Sequence, residues 1–307
     1  MWLNILQGTI EQGLVFSLLA MGVYLTFRIL DFSDLTVEGS FPLGASVTAV
    51  LIINGMNPFL ATFFAFIAGI LAGMITGIIN TKLKIAGLLA GILTMTSLYS
   101  INLRIMGRSN IPLLRETTIL TVIENWGLPD RYVALIVFAI IVLLVKLMID
   151  YFLYTEIGMA IRAAGDSPVM IESLGGNTDQ IKIFGLGLSN GLVALSGALT
   201  CQYQGFTDVS MGIGMIVIGL ASVIIGEVVI RTSKISFATL GVIVGSIIYR
   251  LAIAIALQLG FAPTDLKVVT AVLVILALGA PSLRSLLIQD EFAERLIEGG
   301  ASDAKAK

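Results

Sequence analysis

Histidine is absent from the 307 residues, cysteine occurs once, at Cys201, and charged side chains make up only 12%. Without histidine or a second cysteine there is no internal disulfide, no zinc site of the usual kind and no histidine-based catalysis. No G-x-x-x-x-G-K-[ST] run occurs, so the chain lacks the loop whose backbone amides and lysine cradle a nucleotide's phosphates. No basic segment precedes the first apolar run, Thr9 to Leu30, and no small-residue cleavage site stands ahead of Asp31. That run is therefore expected to stay as a transmembrane helix and not to be removed as a signal peptide. Membrane-embedded or boundary charges are few, with Arg28, Glu38, Lys146, Glu227 and Arg250 the main candidates. No carboxylate is securely at mid-membrane, where a proton- or sodium-driven carrier keeps its coupling groups.

What is abundant is apolar surface. Hydrophobic residues make up 57% of the chain and the mean hydropathy is +1.00, which places it in a bilayer. A helix crosses a hydrocarbon core in roughly 20 residues. Nine apolar spans of about that length are read, at 9–30, 38–54, 58–80, 86–103, 132–152, 183–204, 211–230, 235–256 and 266–283. The fold class is an all-α polytopic membrane protein, with a permease domain over 1–288 and a cytosolic tail over 289–307. An odd number of crossings separates the termini. Placing the polar island at 153–182 inside also places Lys82, Lys84, Arg162, Lys182, Arg231, Lys234, Arg284 and the tail inside, as the positive-inside bias requires, and leaves the N-terminus outside. The loop 104–131 runs against this bias, being external yet carrying Arg104, Arg108, Arg115 and Arg131.

Three segments carry more than hydropathy. In the first, residues 31–46, Glu38, Gly39, Ser40 and Pro42 interrupt the second span near its start, predicting either a kinked or discontinuous helix or an ordinary helix start capped at Asp34 or Thr36. The second is an echo: Phe32-Ser33-Asp34-Leu35-Thr36 reappears as Phe206-Thr207-Asp208-Val209-Ser210, on the opposite side of the membrane. Such an echo fits an inverted-topology repeat in which spans one to four match six to nine, and it marks Asp34, Glu38, Ser40, Pro42 and Asp208 as pathway candidates. In the third, the island, a short helix over Gly158 to Ala164 is followed by a turn at Gly165-Asp166. A second helix, capped by Ser167-Pro168, runs to Leu174, and Gly175-Gly176 stops it. Two short helices held by glycine turns make a rigid knob suited to receiving force from a partner; the plain alternative is a solvated connector.

Through Gly158, Arg162, Ala163, Ala164, Gly165, Pro168, Gly175 and Gly176, the small-residue stretch 189–199 and the glycine-rich stretch 224–248, the chain resembles the permease subunits of ABC importers for branched-chain amino acids, ribose and related solutes. It departs from them at Gly226-Glu227, where relatives usually place paired glycines. Around 31–46 it looks closest to a subgroup associated with tryptophan and tyrosine. The resemblance implies a pathway-forming permease, a homodimer, joined to two cytosolic ATPase subunits that bind ATP and magnesium, and served by an extracytoplasmic binding protein. It implies no catalytic residue, cofactor, metal or nucleic acid in this chain. By analogy Arg162, Gly165, Asp166, Pro168 and Gly175 couple to the ATPase. Arg104, Arg108 and Arg115 either dock the binding protein or anchor the loop to lipid headgroups. Competing readings are an ion-driven secondary carrier, a membrane scaffold or intramembrane enzyme, and, within the family, an importer of branched-chain amino acids, sugars or nucleosides.

Overall fold

The computed structural model describes residues 2–124, 130–232, 234–262, 265, 268–272 and 274–275. Its elements, in order, are α1 (Trp2–Val23), which runs into a π-helical turn (Tyr24–Ile29), α2 (Val37–Ile53), α3 (Pro58–Lys82), α4 (Gly87–Met106), β1 (Asn110–Pro112), α5 (Ile119–Glu124), α6 (Asp130–Tyr154), α7 (Glu156–Asp166), α8 (Pro168–Ser173), α9 (Thr178–Gln204), β2 (Phe206–Asp208), α10 (Met215–Val229) and α11 (Ile235–Gln258). Six spans among the described residues are long and apolar enough to cross a membrane; α2 and α10 are shorter apolar helices. The first eight expected spans thus correspond to helices. The ninth, 266–283, falls mostly outside the described residues, and the tail 289–307 falls wholly outside them.

Several boundaries move: the first span starts at Trp2 and not at 9, and the seventh at Met215 and not at 211. The sixth span begins at Thr178 and not at 183, because the Asn177 side chain caps the helix by accepting from Gln180 N at 3.1 Å. Gly165-Asp166 is not a turn: α7 continues through both residues, started by Thr155, whose hydroxyl accepts from Gly158 N.

The core is built around α9. Gly69, Gly73 and Gly77 of α3 recur every four residues, so they lie on one helix face, and α9 presses against that face. A Cβ at Gly73 would lie 2.1 Å from the Leu186 carbonyl oxygen. On another side of α9, Gly197 meets the Phe41 carbonyl of α2 and Gly44 meets that of Ala194. Ser189 and Ser196 donate to the carbonyls of Gly22 and Val15 on α1, at 2.7 and 2.9 Å. In lipid no hydrophobic effect drives helices together, so small residues and interhelical hydrogen bonds must.

The inverted repeat is visible in this packing. α1 and α9 each end in a break, a Phe-Ser/Thr-Asp turn, a short helix (α2, 17 residues; α10, 15 residues) and then a long one (α3, 25; α11, 24). The two turns are separated by α2, α3, α4, α6 and α9, and α1 and α9 run in opposite directions. The long helices are exchanged between halves: α3 packs on α9 and α11 on α1. The described part of the ninth span follows the same rule. α4 packs on α2 and α3, while Val269 and Val274 pack on the cluster formed by α10 and α11.

α9 spans about 40 Å at 1.5 Å per residue. At its C-terminal end β1 and β2 pair antiparallel, Ile111 opposite Thr207, and at its N-terminal end sit α7 and α8. These two ends are the two faces of the membrane domain.

Candidate functional site

Asp34 and Asp208 build the same local turn. Asp34 Oδ1 accepts from Thr36 N at 2.9 Å, and Asp208 Oδ1 accepts from Ser210 N at 2.8 Å. Their surroundings differ. Asp34 is buried and also takes a hydrogen bond from Asn190 Nδ2 of α9 at 2.6 Å; Ser40 donates to the Asn190 oxygen at 2.7 Å. Asp208 lies on the ribbon beside Asn110 and is not near Asp34. Its carboxyl is held below the usual carboxylate range, first by the Ser210 hydroxyl and then by the Ser210 backbone amide.

The break lies ahead of α2, not at Pro42. Thr26 bonds back to the carbonyls of Gly22 and Val23, the helix widens into its π-turn, and Asp31 takes a left-handed φ of +50°. α2 then runs unbroken past Pro42. That proline has no N–H for the Glu38 carbonyl, and Gly212 occupies the vacated space: a Cβ there would fall 1.9 Å from that oxygen. Glu38 Oε1 accepts from Gly214 N at 2.9 Å, at the start of α10. The two short helices, whose chains approach from opposite membrane faces, thus meet through Glu38, Pro42 and Gly212. A carboxylate at a helix N-terminus is where the helix dipole favours it.

At the α7–α8 end, Ser167 caps α8 and Pro168 takes its first position; Gly175, at φ +81°, ends it. Val169 and Leu174 are 75% and 77% exposed, so α8 presents an apolar tip. Arg162 and Asp166 do not share that tip. They line a cavity of about 880 Å³ with Tyr24 and Arg28 of the π-turn, Glu227 of α10 and Arg231. Gly165 is the point where α7 touches the π-turn: a Cβ there would lie 2.0 Å from the Ile29 carbonyl oxygen. Arg28 Nε pairs with Glu227 at 2.8 Å across the cavity. Glu227, the departure from the family pattern, therefore has a partner that sequence spacing did not reveal.

Arg104, Arg108 and Arg115 lie at the opposite end, on the last turn of α4 and in the loops flanking β1, all exposed. Buried carboxylates are more numerous than the sequence suggested, and each is held by donors. Besides Asp34, Glu11 accepts from Gln7 and from Tyr203 at 2.9 Å, and Asp150 pairs with Lys146 and accepts from Thr239 at 2.6 Å. Asn190, Gln7 and Thr239 carried no sequence signal, since a polar residue in an apolar run looks the same whether it faces a partner or a lipid.

Comparisons with known proteins agree with this architecture. The family described as "Branched-chain amino acid transport system / permease component" matches residues 5–278. A "Tyrosine transport system permease protein" of Clostridioides difficile is 45% identical over 276 residues, 90% of this chain and 91% of that protein. An uncharacterized Rickettsia prowazekii protein is 34% identical, covering 91% of this chain and 98% of its own length. A "Probable branched-chain amino acid transport permease protein LivH" of Methanocaldococcus jannaschii is 26% identical, covering 81% of this chain and 82% of its own length. The chain belongs to this branched-chain amino acid transport permease family and is the membrane-spanning permease subunit of an ABC importer.

Proposed function

We propose that this permease carries an aromatic amino acid, of the tyrosine class, from an extracytoplasmic binding protein to the cytosol. The observation that carries this reading is the 45% identity, over nine-tenths of both chains, to a protein named as a tyrosine transport permease. Two copies form the pathway. The α7–α8 end faces the cytosol and the ribbon end faces out, so the N-terminus is outside and the 289–307 tail inside. Lys82, Lys84, Arg162, Lys182, Arg231 and Lys234 support that orientation.

In this account the apolar tip of α8, with Pro168 and Gly175 fixing its shape, seats in a groove of the ATPase subunit. Gly165, Arg162 and Asp166 pass the displacement to the π-turn and across the cavity to α10. Arg104, Arg108 and Arg115 hold the binding protein by charge complementarity. Asp34, Ser40, Glu38, Pro42 and Asp208 set the two broken helices that move against each other along the pathway. ATP and magnesium bind to the partner subunits; this chain hydrolyses nothing and holds no cofactor or metal. The test is growth of a tyrosine auxotroph at low external tyrosine. Growth should depend on this gene and be blocked by excess tryptophan or phenylalanine; competition by leucine, ribose or a nucleoside, with none by aromatic amino acids, contradicts the reading.

A further inference from the structure

Of the embedded charges, Arg28 and Lys146 have carboxylate partners, and Glu227 and Glu38 have donors. Arg250 of α11 is half-buried and has no hydrogen-bond acceptor or carboxylate partner among the described residues; its Nε is the buried atom left without one. A charge held inside a membrane without compensation is costly, and chains keep one where an anion completes it.

The direction of the side chain is informative. Ser246 of α11 donates to the Gly13 carbonyl of α1 at 2.9 Å, which sets the level at which the two helices touch. The Arg250 backbone lies four residues, about 6 Å, from that level toward the ribbon end. Its guanidinium carbon nevertheless sits 3.7 Å from the ring centroid of Phe16, a residue whose backbone lies three residues, about 4.5 Å, on the other side of Gly13. The side chain reaches inward, opposite to the snorkelling that would carry it to a lipid headgroup. Its face is spent on Phe16, which leaves the in-plane N–H edge for a planar, bidentate acceptor such as a carboxylate. Phe16 stacks in turn on Phe41 of α2 at 5.8 Å, in an apolar cluster with Val193 and Met215. The cation, the aromatic pair and the meeting point of the two short helices are contiguous through α2.

We propose that Arg250 is the carboxylate station of the pathway: its guanidinium edge, beside the buried Phe16–Phe41 stack, pairs with the α-carboxylate of the transported amino acid. This rests on the amino-acid reading above and adds the residue that recognises the class. The test uses the complete importer, with its ATPase and binding protein, in proteoliposomes, and measures radiolabelled tyrosine uptake, ATP hydrolysis and permease melting for wild type, Arg250→Lys and Arg250→Met. Arg250→Met should lose uptake about tenfold or more, as when one partner of a desolvated charge pair is truncated, with hydrolysis and melting at or above wild type. Arg250→Lys, keeping charge but not the fork, should fall between the two.

Uptake by Arg250→Met within twofold of wild type overturns the proposal. So does a joint fall of melting, hydrolysis and uptake in both variants, which marks a structural arginine. A melting rise with added phosphatidylglycerol that vanishes in Arg250→Met, with uptake unchanged, overturns it in favour of a lipid phosphate. If wild type ignores tyrosine and moves another carboxylate in an Arg250-dependent way, the aromatic reading fails and the carboxylate station stands. If the solute moved has no carboxylate, both fall.

Discussion

Replacing Gly165 with valine tests how α7 drives the membrane domain. Gly165 is helical, so the relevant constraint is contact and not backbone conformation. Its Cβ would sit 2.0 Å from the Ile29 carbonyl oxygen and 3.2 Å from Leu30 Cα, where ordinary contact begins at 3.4 Å. α7 must therefore retreat by roughly 1 Å or more from the π-turn, because neither backbone can yield. Overpacking of this kind costs about 1–3 kcal/mol. Spent on the joint between α7 and the pathway, that lowers the coupled population by about 5- to 150-fold. The assay is ATP hydrolysis and solute uptake by the same proteoliposomes. Hydrolysis should persist and uptake should fall at least about fivefold for Gly165→Val, with Gly165→Ala impaired in the same sense. Gly55→Ala, in the loop between α2 and α3 and away from the α7–α8 end, is the control: nothing lies within 4 Å of its Cβ, so only its left-handed φ of +80° resists, and it should lose far less. Wild-type uptake per ATP by Gly165→Val, at equal expression, refutes the transmission route.

Other outcomes follow from single contacts. Gly73→Ala places a methyl against the Leu186 carbonyl and should lower the melting temperature in detergent by several degrees, since about 1–3 kcal/mol is lost where α3 meets α9. Arg28 and Glu227 are 62% and 40% exposed, so a double-mutant cycle on melting should give at most about 1 kcal/mol, falling with salt. Asp208 has a lowered pKa, so its contribution is fully present above the unfolded carboxylate range and is lost as pH falls through its folded value. Asp208→Asn should therefore flatten the melting profile only below about pH 4. In a Cys201→Ala background, Ser33→Cys and Phe206→Cys, both exposed positions, should label on opposite sides with an impermeant maleimide; Thr207 is buried and would not report. Equal external labelling of both would contradict the opposed orientation of the two turns.

The first eight spans, the echo and the two short helices at 158–174 were legible because each has a local cause: apolar length, an Asp two residues ahead of a free amide, a Ser-Pro cap, a stopping glycine. Gly165 was misread as a turn because glycine in a helix looks the same as glycine in a turn until the Ile29 carbonyl pressed against it is seen. Pro42 invited a kink at its own position, yet the chain breaks earlier, where Thr26 bonds backward and Asp31 turns left-handed. The pairs Arg28–Glu227, Asp34–Asn190 and Glu38–Gly214 join residues more than 150 positions apart, and no spacing rule reaches that far. Arg250 was visible as an embedded charge, but only its inward reach onto Phe16 distinguishes it from a snorkelling arginine.

The central claim is that this chain is the pathway of an ATP-driven importer of an aromatic amino acid. Its most direct test is radiolabelled tyrosine uptake into proteoliposomes holding the permease with or without its ATPase, ATP and binding protein, at zero ion gradient. Accumulation that requires all four components and is inhibited by unlabelled tryptophan is the predicted result. Accumulation driven by a proton or sodium gradient with the ATPase omitted, or none with the complete set while another solute is taken up, would contradict it.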